Sequence, residues 1–217
     1  MVTATKDPNS YEEVQELALQ RSLTAEDLAS LPDDGNRYEI IGGQLIVSPS
    51  PSTRHQKISF KLAGAIDAYL TRTGSGDGFS APMDVHLSSN DVVQPDILVV
   101  LRERNAMVQE TGIFGVPDLV IEILSPSSIS NDFLRKSRLY ERYGVQEYWI
   151  FDPIGETVSV QTLEGDRFVL TGEFGRNNTV PSEVLAGFEL DLSTVFPAQS
   201  EEGAQTTSME TTSTNDQ

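Results

Sequence analysis

The chain has 217 residues, enough for one domain with a sizeable core, and it carries no cysteine, which excludes disulfides, thiolate zinc sites and a Cys nucleophile. Its histidines are two, His55 and His86, so a His-rich metal site is excluded and any metal would be a hard cation on oxygen ligands. The formal charge of −18 opposes nucleic-acid binding by the chain as a whole, yet four basic residues fall in 54–72 and four in 135–142, two segments that both read as helices.

In chain order, 1–21 reads as a flexible polar lead. "LTAEDLASLPDDG" follows as a short helix, with Thr24 and Asp27 spaced as a capping box. "RYEIIGGQLIVSPSP" is a hairpin turning at Gly42-Gly43. From Ser52 to Thr73, Ile58, Leu62, Ala65, Ile66, Tyr69 and Leu70 recur at helical spacing, and "GSGDG" closes that helix. "FSAPMDVHLSS" and "DVVQPDILVVL" read as two strands joined near Ser89-Asn90, and 102–115 as an irregular charged segment. A third strand spans Leu119 to Leu124. A helix capped by Asn131 or Asp132 runs to about Tyr143 and stops at Gly144, and "QEYWIFDP" is a fourth strand. "TVSVQTL", "DRFVLTGEF" and "GFEL" add short antiparallel strands. The tail 198–217 is polar and lacks apolar periodicity, the pattern of disorder. The sequence therefore specifies an α/β domain over 22–197, ordered helix, three strands, helix, strand, with a hairpin before and antiparallel strands after. No run approaches 18 apolar residues, so neither membrane insertion nor any site but the cytoplasm is expected.

One residue breaks the pattern. Glu122 sits among Leu119, Val120, Ile121, Ile123 and Leu124 in a run that otherwise reads as a buried strand. Burying a lone carboxylate is costly, so such a group is paired, protonated or coordinated. Asp96 follows Pro95 at the head of the preceding apolar strand, and two neighbouring strands can bring both acids to one pocket. A divalent cation such as Mg²⁺ is the consistent neutraliser, while a turn role for Asp96 and an ion pair for Glu122 are the plainer alternatives.

Four ordered blocks, "LPDDGNRYEIIGGQLIVSPSPSTRHQKI", "APMDVHL…DVVQPDILVV", "PDLVIEILSPSS" and "KSRLYERYGVQEYWIFDP", resemble the Uma2 family (DUF820), a group abundant in cyanobacteria and placed in the PD-(D/E)XK restriction-endonuclease-like superfamily. The resemblance spans about 22–196. It implies a restriction-endonuclease-like core and Mg²⁺- or Mn²⁺-dependent endonuclease chemistry on DNA. It makes Asp96 and Glu122 the metal ligands, with the Ile123 carbonyl. The superfamily lysine falls two residues after the acid, where this chain has Leu124, so Lys136 on the following helix takes its place, and its loss is expected to remove activity and spare the fold. Glu39 and Asp84 are further candidates for metal or water, or structural contacts. His55 is a second acid/base or phosphate contact, or a solvated helix residue. Arg54, Lys57 and Arg135 are candidate phosphate contacts. The family hairpin usually carries glutamate where this chain has Gln44. Asp152-Pro153 is expected to end its strand, and Tyr148 and Trp149 to be core. Cutting two strands would suit a homodimer. The rival reading is the same fold with a decayed site, binding nucleic acid or a protein partner.

Overall fold

The computed structural model describes residues 18, 21–32, 34–125 and 132–196. The expected tail 198–217 lies outside the described residues, as does the expected flexible lead 1–21 apart from residues 18 and 21.

A single turn of helix, α1 (Ala25–Leu28), is closed by the Thr24–Asp27 capping box, and Arg21 clamps Asp27 at 2.6 Å. The hairpin β1 (Arg37–Ile41) and β2 (Gln44–Ser48) turns at Gly42 and Gly43, both at positive φ. Helix α2 (Thr53–Thr73) starts at Ser52, whose hydroxyl accepts the His55 N–H, and ends at Gly74 in the left-handed region. Then come β3 (Gly76–Ser80), β4 (Val85–Ser88), β5 (Asp91–Val93) and β6 (Ile97–Leu101). A 3₁₀ segment (Arg102–Met107) leads to the two-residue strands β7 (Val108–Gln109) and β8 (Gly112–Ile113) and on to β9 (Leu119–Ile123). Helix α3 (Asp132–Tyr143) precedes β10 (Glu147–Asp152), β11 (Thr157–Glu164), β12 (Arg167–Gly175), β13 (Thr179–Pro181), β14 (Glu189–Asp191) and α4 (Leu192–Val195).

These strands form two six-stranded sheets, ordered β2-β1-β5-β4-β8-β7 and β12-β11-β10-β9-β6-β3, and a small β13-β14 ribbon. In the second, central sheet β6 runs antiparallel to β9, and β9 parallel to β10. The expected order of helix, three strands, helix, strand is α2, β3, β6, β9, α3, β10, with one correction to its parts. "DVVQPDILVVL" is two strands in two sheets, because Pro95 has no N–H to give a ladder and the chain crosses between sheets at Gln94-Pro95-Asp96. The first core strand is instead Gly76–Ser80, which begins inside the glycine-rich stretch expected only to close the helix and takes in Phe79 and Ser80, the start of the expected "FSAPMDVHLSS" strand. Glycine is needed there because a Cβ on Gly76 would collide with the Val100 carbonyl oxygen of β6.

The central strands are buried on both faces, which explains their unbroken apolar runs. Ile97, Val99, Leu119, Ile121, Trp149 and Phe151 pack under α2 (Ile58, Leu62, Ile66). Leu98, Val100, Val120, Tyr148 and Ile150 face α3 (Leu139, Tyr140) and the hairpin sheet (Ile41, Ile46, Val93). Tyr148 and Trp149 are thus core, and Asp152 ends its strand by accepting the Ile154 N–H. By strand alternation Asp96 and Glu122 belong to the second face, the one α3 covers.

Candidate active site

Ile97 pairs with Ile121 across β6 and β9, so Asp96 and Glu122, one step outside that pair, stand opposite one another. Both are buried, as is Glu39 of β1. All three line a cavity of about 400 Å³ whose wall also includes Arg37, His55, Leu124, Lys136 and Tyr148.

Asp96 is held from three sides. Arg37 Nη1 donates to Oδ1 at 2.8 Å, and the Ile123 N–H donates to Oδ2 at 2.8 Å. His55 Nε2 lies 3.1 Å from the same Oδ2. Burial pushes this carboxyl up, but the His55 contact, the Arg37 charge and the Ile123 N–H outweigh it and hold it at about 2. Glu122 is less well served. Its Oε1 accepts from Lys136 Nζ at 3.0 Å and Tyr140 Oη at 2.8 Å, and neither bond reaches Oε2. Burial pushes its carboxyl up, Lys136 pulls it down, and the neighbouring Asp96 and Glu39 carboxylates push it up again, to about 7.

Lys136 is one turn before Tyr140 on α3, so both side chains lie on the face turned to β9. Its ammonium also lies 2.8 Å from Glu39 Oε1, which in turn accepts the Gln94 N–H at 2.7 Å. Burial draws the Lys136 pKa down, and the Glu122 and Glu39 carboxylates more than reverse that, so it stays charged. Lys136 thus bridges two buried carboxylates that would lack this cation without it, so its loss is expected to cost stability as well as activity.

The remaining candidates separate. His55 is buried against Asp96 and is not a solvated helix residue. Asp84 accepts from Gln94 Nε2 at 2.8 Å and lines a different, larger cavity. Arg54 pairs with Glu156 at 3.0 Å, whereas Lys57 and Arg135 are exposed on α2 and α3. Gln44 is exposed beside the hairpin turn, away from the cavity. Leu124 lines the cavity wall but offers it no polar side-chain atom. Arg37 and Tyr140 are parts of the site that the sequence did not single out. Arg37 begins the strand that carries Glu39, and Tyr140 lies at i+4 from Lys136, which is the one local signal that pointed to it.

The donor set fits a hard divalent cation in one respect and limits it in another. Three buried carboxylates face two permanent cations, Arg37 and Lys136, so the cluster is short of positive charge. Among the described residues, however, no three Asp, Glu or His side chains converge tightly enough to hold a metal by themselves. That favours an ion taking one or two carboxylates and completing its shell with water and substrate phosphate, as Mg²⁺ does.

The Uma2 family, described as "Putative restriction endonuclease", matches residues 25–193, and the chain belongs to it. Among solved structures the chain is similar to "a putative nuclease belonging to DUF820" from Anabaena variabilis ATCC 29413. The TM-score is 0.67 at 22% identity, over 80% of this chain and 97% of that one, so the two share a mixed α/β fold, consistent with a restriction-endonuclease-like core. A search of the curated proteins gave no match.

Proposed function

We propose that the protein is a metal-dependent endonuclease that hydrolyses phosphodiester bonds in DNA at the Asp96–Glu122–Lys136 cavity. The observation that carries this reading is the imbalance just described: three buried carboxylates converge on an open cavity with only Arg37 and Lys136 as permanent counter-charges. A structural ion-pair network would close that balance, whereas a site awaiting a cation leaves it open.

Asp96 and Glu122, with the Ile123 carbonyl, would hold Mg²⁺ or Mn²⁺. When bound, such an ion supplies Lewis acidity at a phosphoryl oxygen and lowers the pKa of a water. The chain's own residues do the rest. Arg37, His55 and the Ile123 N–H fix the Asp96 carboxylate in one orientation. Tyr140 fixes Glu122. Lys136 keeps an ammonium at the cavity wall, where it orients the attacking water and faces charge developing on the phosphoryl oxygens. The reaction needs that charge and not its anchor, so an ammonium delivered from α3 replaces one at Leu124. Exposed Lys57 and Arg135 position the DNA backbone without reading sequence. Among the described residues no helix is long and apolar enough to cross a membrane. The reading places the action on cytoplasmic DNA, by a symmetric pair when both strands are cut.

Nicking of supercoiled plasmid with Mg²⁺ or Mn²⁺ tests the reading. Wild type is expected to nick and Glu122→Gln to be inert. One observation favours a second reading, a binding module: Asp96 and Glu122 already have protein cations beside them, so the fold stands without metal. Wild type that shifts DNA at low salt but cuts with neither ion would replace the enzyme by that module.

A further inference from the structure

The larger cavity, about 770 Å³, shares Arg37, His55 and Asp96 with the smaller one, so the two meet along a common wall. Their chemistry differs. The smaller cavity holds Glu39, Glu122 and Lys136 and the serine-rich turn that opens α2, including Ser48, Ser50 and Ser52. The larger is lined by Leu28, Leu31, Ala63 and Pro82 together with the neutral polar Asn36, Gln56, Ser59 and Thr111, and by the aromatic Phe60 and Phe114. Phe60 is 82% exposed and Phe114 41% exposed. Phe114 lies flat on His86, centroids 4.3 Å apart and planes 1° apart, which makes a rigid two-ring platform.

The charged groups along this larger wall already have partners. Arg37 pairs with Asp96 at 2.8 Å, and Asp84 accepts from Gln94. Three side-chain atoms of residues on this wall, Arg37 Nε, His55 Nδ1 and Gln94 Oε1, are buried and have no hydrogen-bond partner among the described residues. The Arg37 guanidinium already carries the Asp96 carboxylate, which leaves a phosphate little net charge to bind. A flat, neutral ring finds a stacking surface at the Phe114–His86 pair, with Phe60 and apolar side chains around the same cavity.

We propose that the larger cavity receives an unpaired nucleobase from the strand whose phosphodiester lies in the smaller one. The substrate is then a nucleic-acid strand that is single-stranded at the cleaved step. This rests on the phosphodiesterase reading of the smaller cavity, and it narrows it. The charge of −18 points the same way: a long duplex needs a broad basic surface, whereas base stacking holds a single strand with fewer phosphate contacts.

The test is a titration of the full chain, in Mg²⁺, with a single-stranded oligonucleotide carrying 2-aminopurine and with the same strand in a duplex, using Glu122→Gln so that binding is read apart from cutting. The single strand is expected to bind at least tenfold more tightly than the duplex, with its 2-aminopurine fluorescence quenched by stacking. Phe114→Ala is expected to weaken single-strand binding about tenfold and remove the quench, with an unchanged melting temperature as the control for folding. Phe60→Ala is a second, independent rim variant for which a smaller loss in the same direction is expected. Equal affinity for duplex and single strand, or full affinity and quench in Phe114→Ala, would overturn the proposal. The two readings fail separately. Tight, quenched binding of a strand that wild type never cuts leaves the base pocket standing and removes the nuclease; plasmid nicking that Phe114→Ala leaves untouched does the reverse.

Discussion

Two neighbouring strands of the central sheet each bury a glutamate, and the two are treated in opposite ways. Glu147, at the start of β10, is fully buried, and both its oxygens are used: Trp149 Nε1 donates to Oε1 at 2.7 Å, and Ser182 Oγ and the Val184 N–H donate to Oε2 at 2.7 and 2.9 Å. No cavity reaches it among those that line the candidate site. Glu122 on β9 has one oxygen doubly bonded, two other carboxylates nearby, and a cavity in front of it. Neutral donors that satisfy a buried acid completely make a structural staple, here tying the C-terminal segment to the sheet. An acid kept beside other acids is held at a cost to stability, and that cost is the signature of a site.

The sharpest way to break the comparison is to neutralise Glu122. Glu122→Gln is expected to lose activity a hundredfold or more in plasmid nicking. Its melting temperature in metal-free buffer at pH 8 should be unchanged or higher, because the raised pKa means the folded state resists the charge. The sign follows from proton counts. Between the ordinary glutamic acid pKa of 4.5 and about 7 the folded chain keeps a proton that the unfolded chain has lost, so stability falls as pH rises through that window. The full cost, about 3 kcal/mol at most, is borne above pH 7. The wild-type slope should be absent from Glu122→Gln in urea melts across that range, and a variant with an unaltered slope would sink the assignment.

Lys136→Ala should lose activity on a similar scale and also lose stability, about 3–5 kcal/mol, since Glu39 and Glu122 then stay buried without their cation. For a domain of this size that lowers the melting temperature by roughly 10 °C, and less at pH 6 than at pH 8, where Glu122 is charged. Glu147→Gln should show the contrary pattern. Its amide turns a donor toward groups that are themselves donors, which costs about 1–3 kcal/mol in denaturant melts and leaves nicking by the folded fraction intact. The smallest effect belongs to Tyr140→Phe. Removing one hydrogen bond to Glu122 costs about 1 kcal/mol and shifts the alkaline-going limb of the rate profile upward, with the maximum rate retained. A loss of rate as deep as that of Glu122→Gln would instead place Tyr140 among the reacting groups.

What the sequence made legible follows the range of each interaction. Glu122 stood out because a charged residue in an apolar strand contradicts its surroundings within five positions. Asp96 stood out because Pro95 marks the strand's head. Lys136 needed the resemblance to make it a candidate, and its pairing with Glu39, nearly a hundred positions away, needed the fold. Arg37 gave no local sign at all: a basic residue opening a hairpin strand reads as solvent-facing, and only the docking of two sheets buries it on Asp96. The second sheet was missed for the same reason. "FSAPMDVHLSS" and "DVVQPDILVVL" read as strands, but pattern alone does not say which sheet a strand joins. The start of the Gly76–Ser80 strand was hidden because Gly76 serves a close backbone approach to β6, a tertiary requirement that looks locally like a turn.

The crossover at Gln94-Pro95-Asp96 has a consequence for the order in which the molecule becomes competent. Arg37 and Glu39 arrive on one sheet, Asp96 and Glu122 on the other, and Lys136 rivets the two by holding Glu39 and Glu122 with a single ammonium. With the central sheet formed and the hairpin absent, Lys136 would keep Glu122, and Asp96 would keep His55 and the Ile123 N–H, but Glu39 and Arg37 would be missing from the cluster. The cavity wall is therefore complete only once the two sheets have docked, which makes the seam between them part of the site.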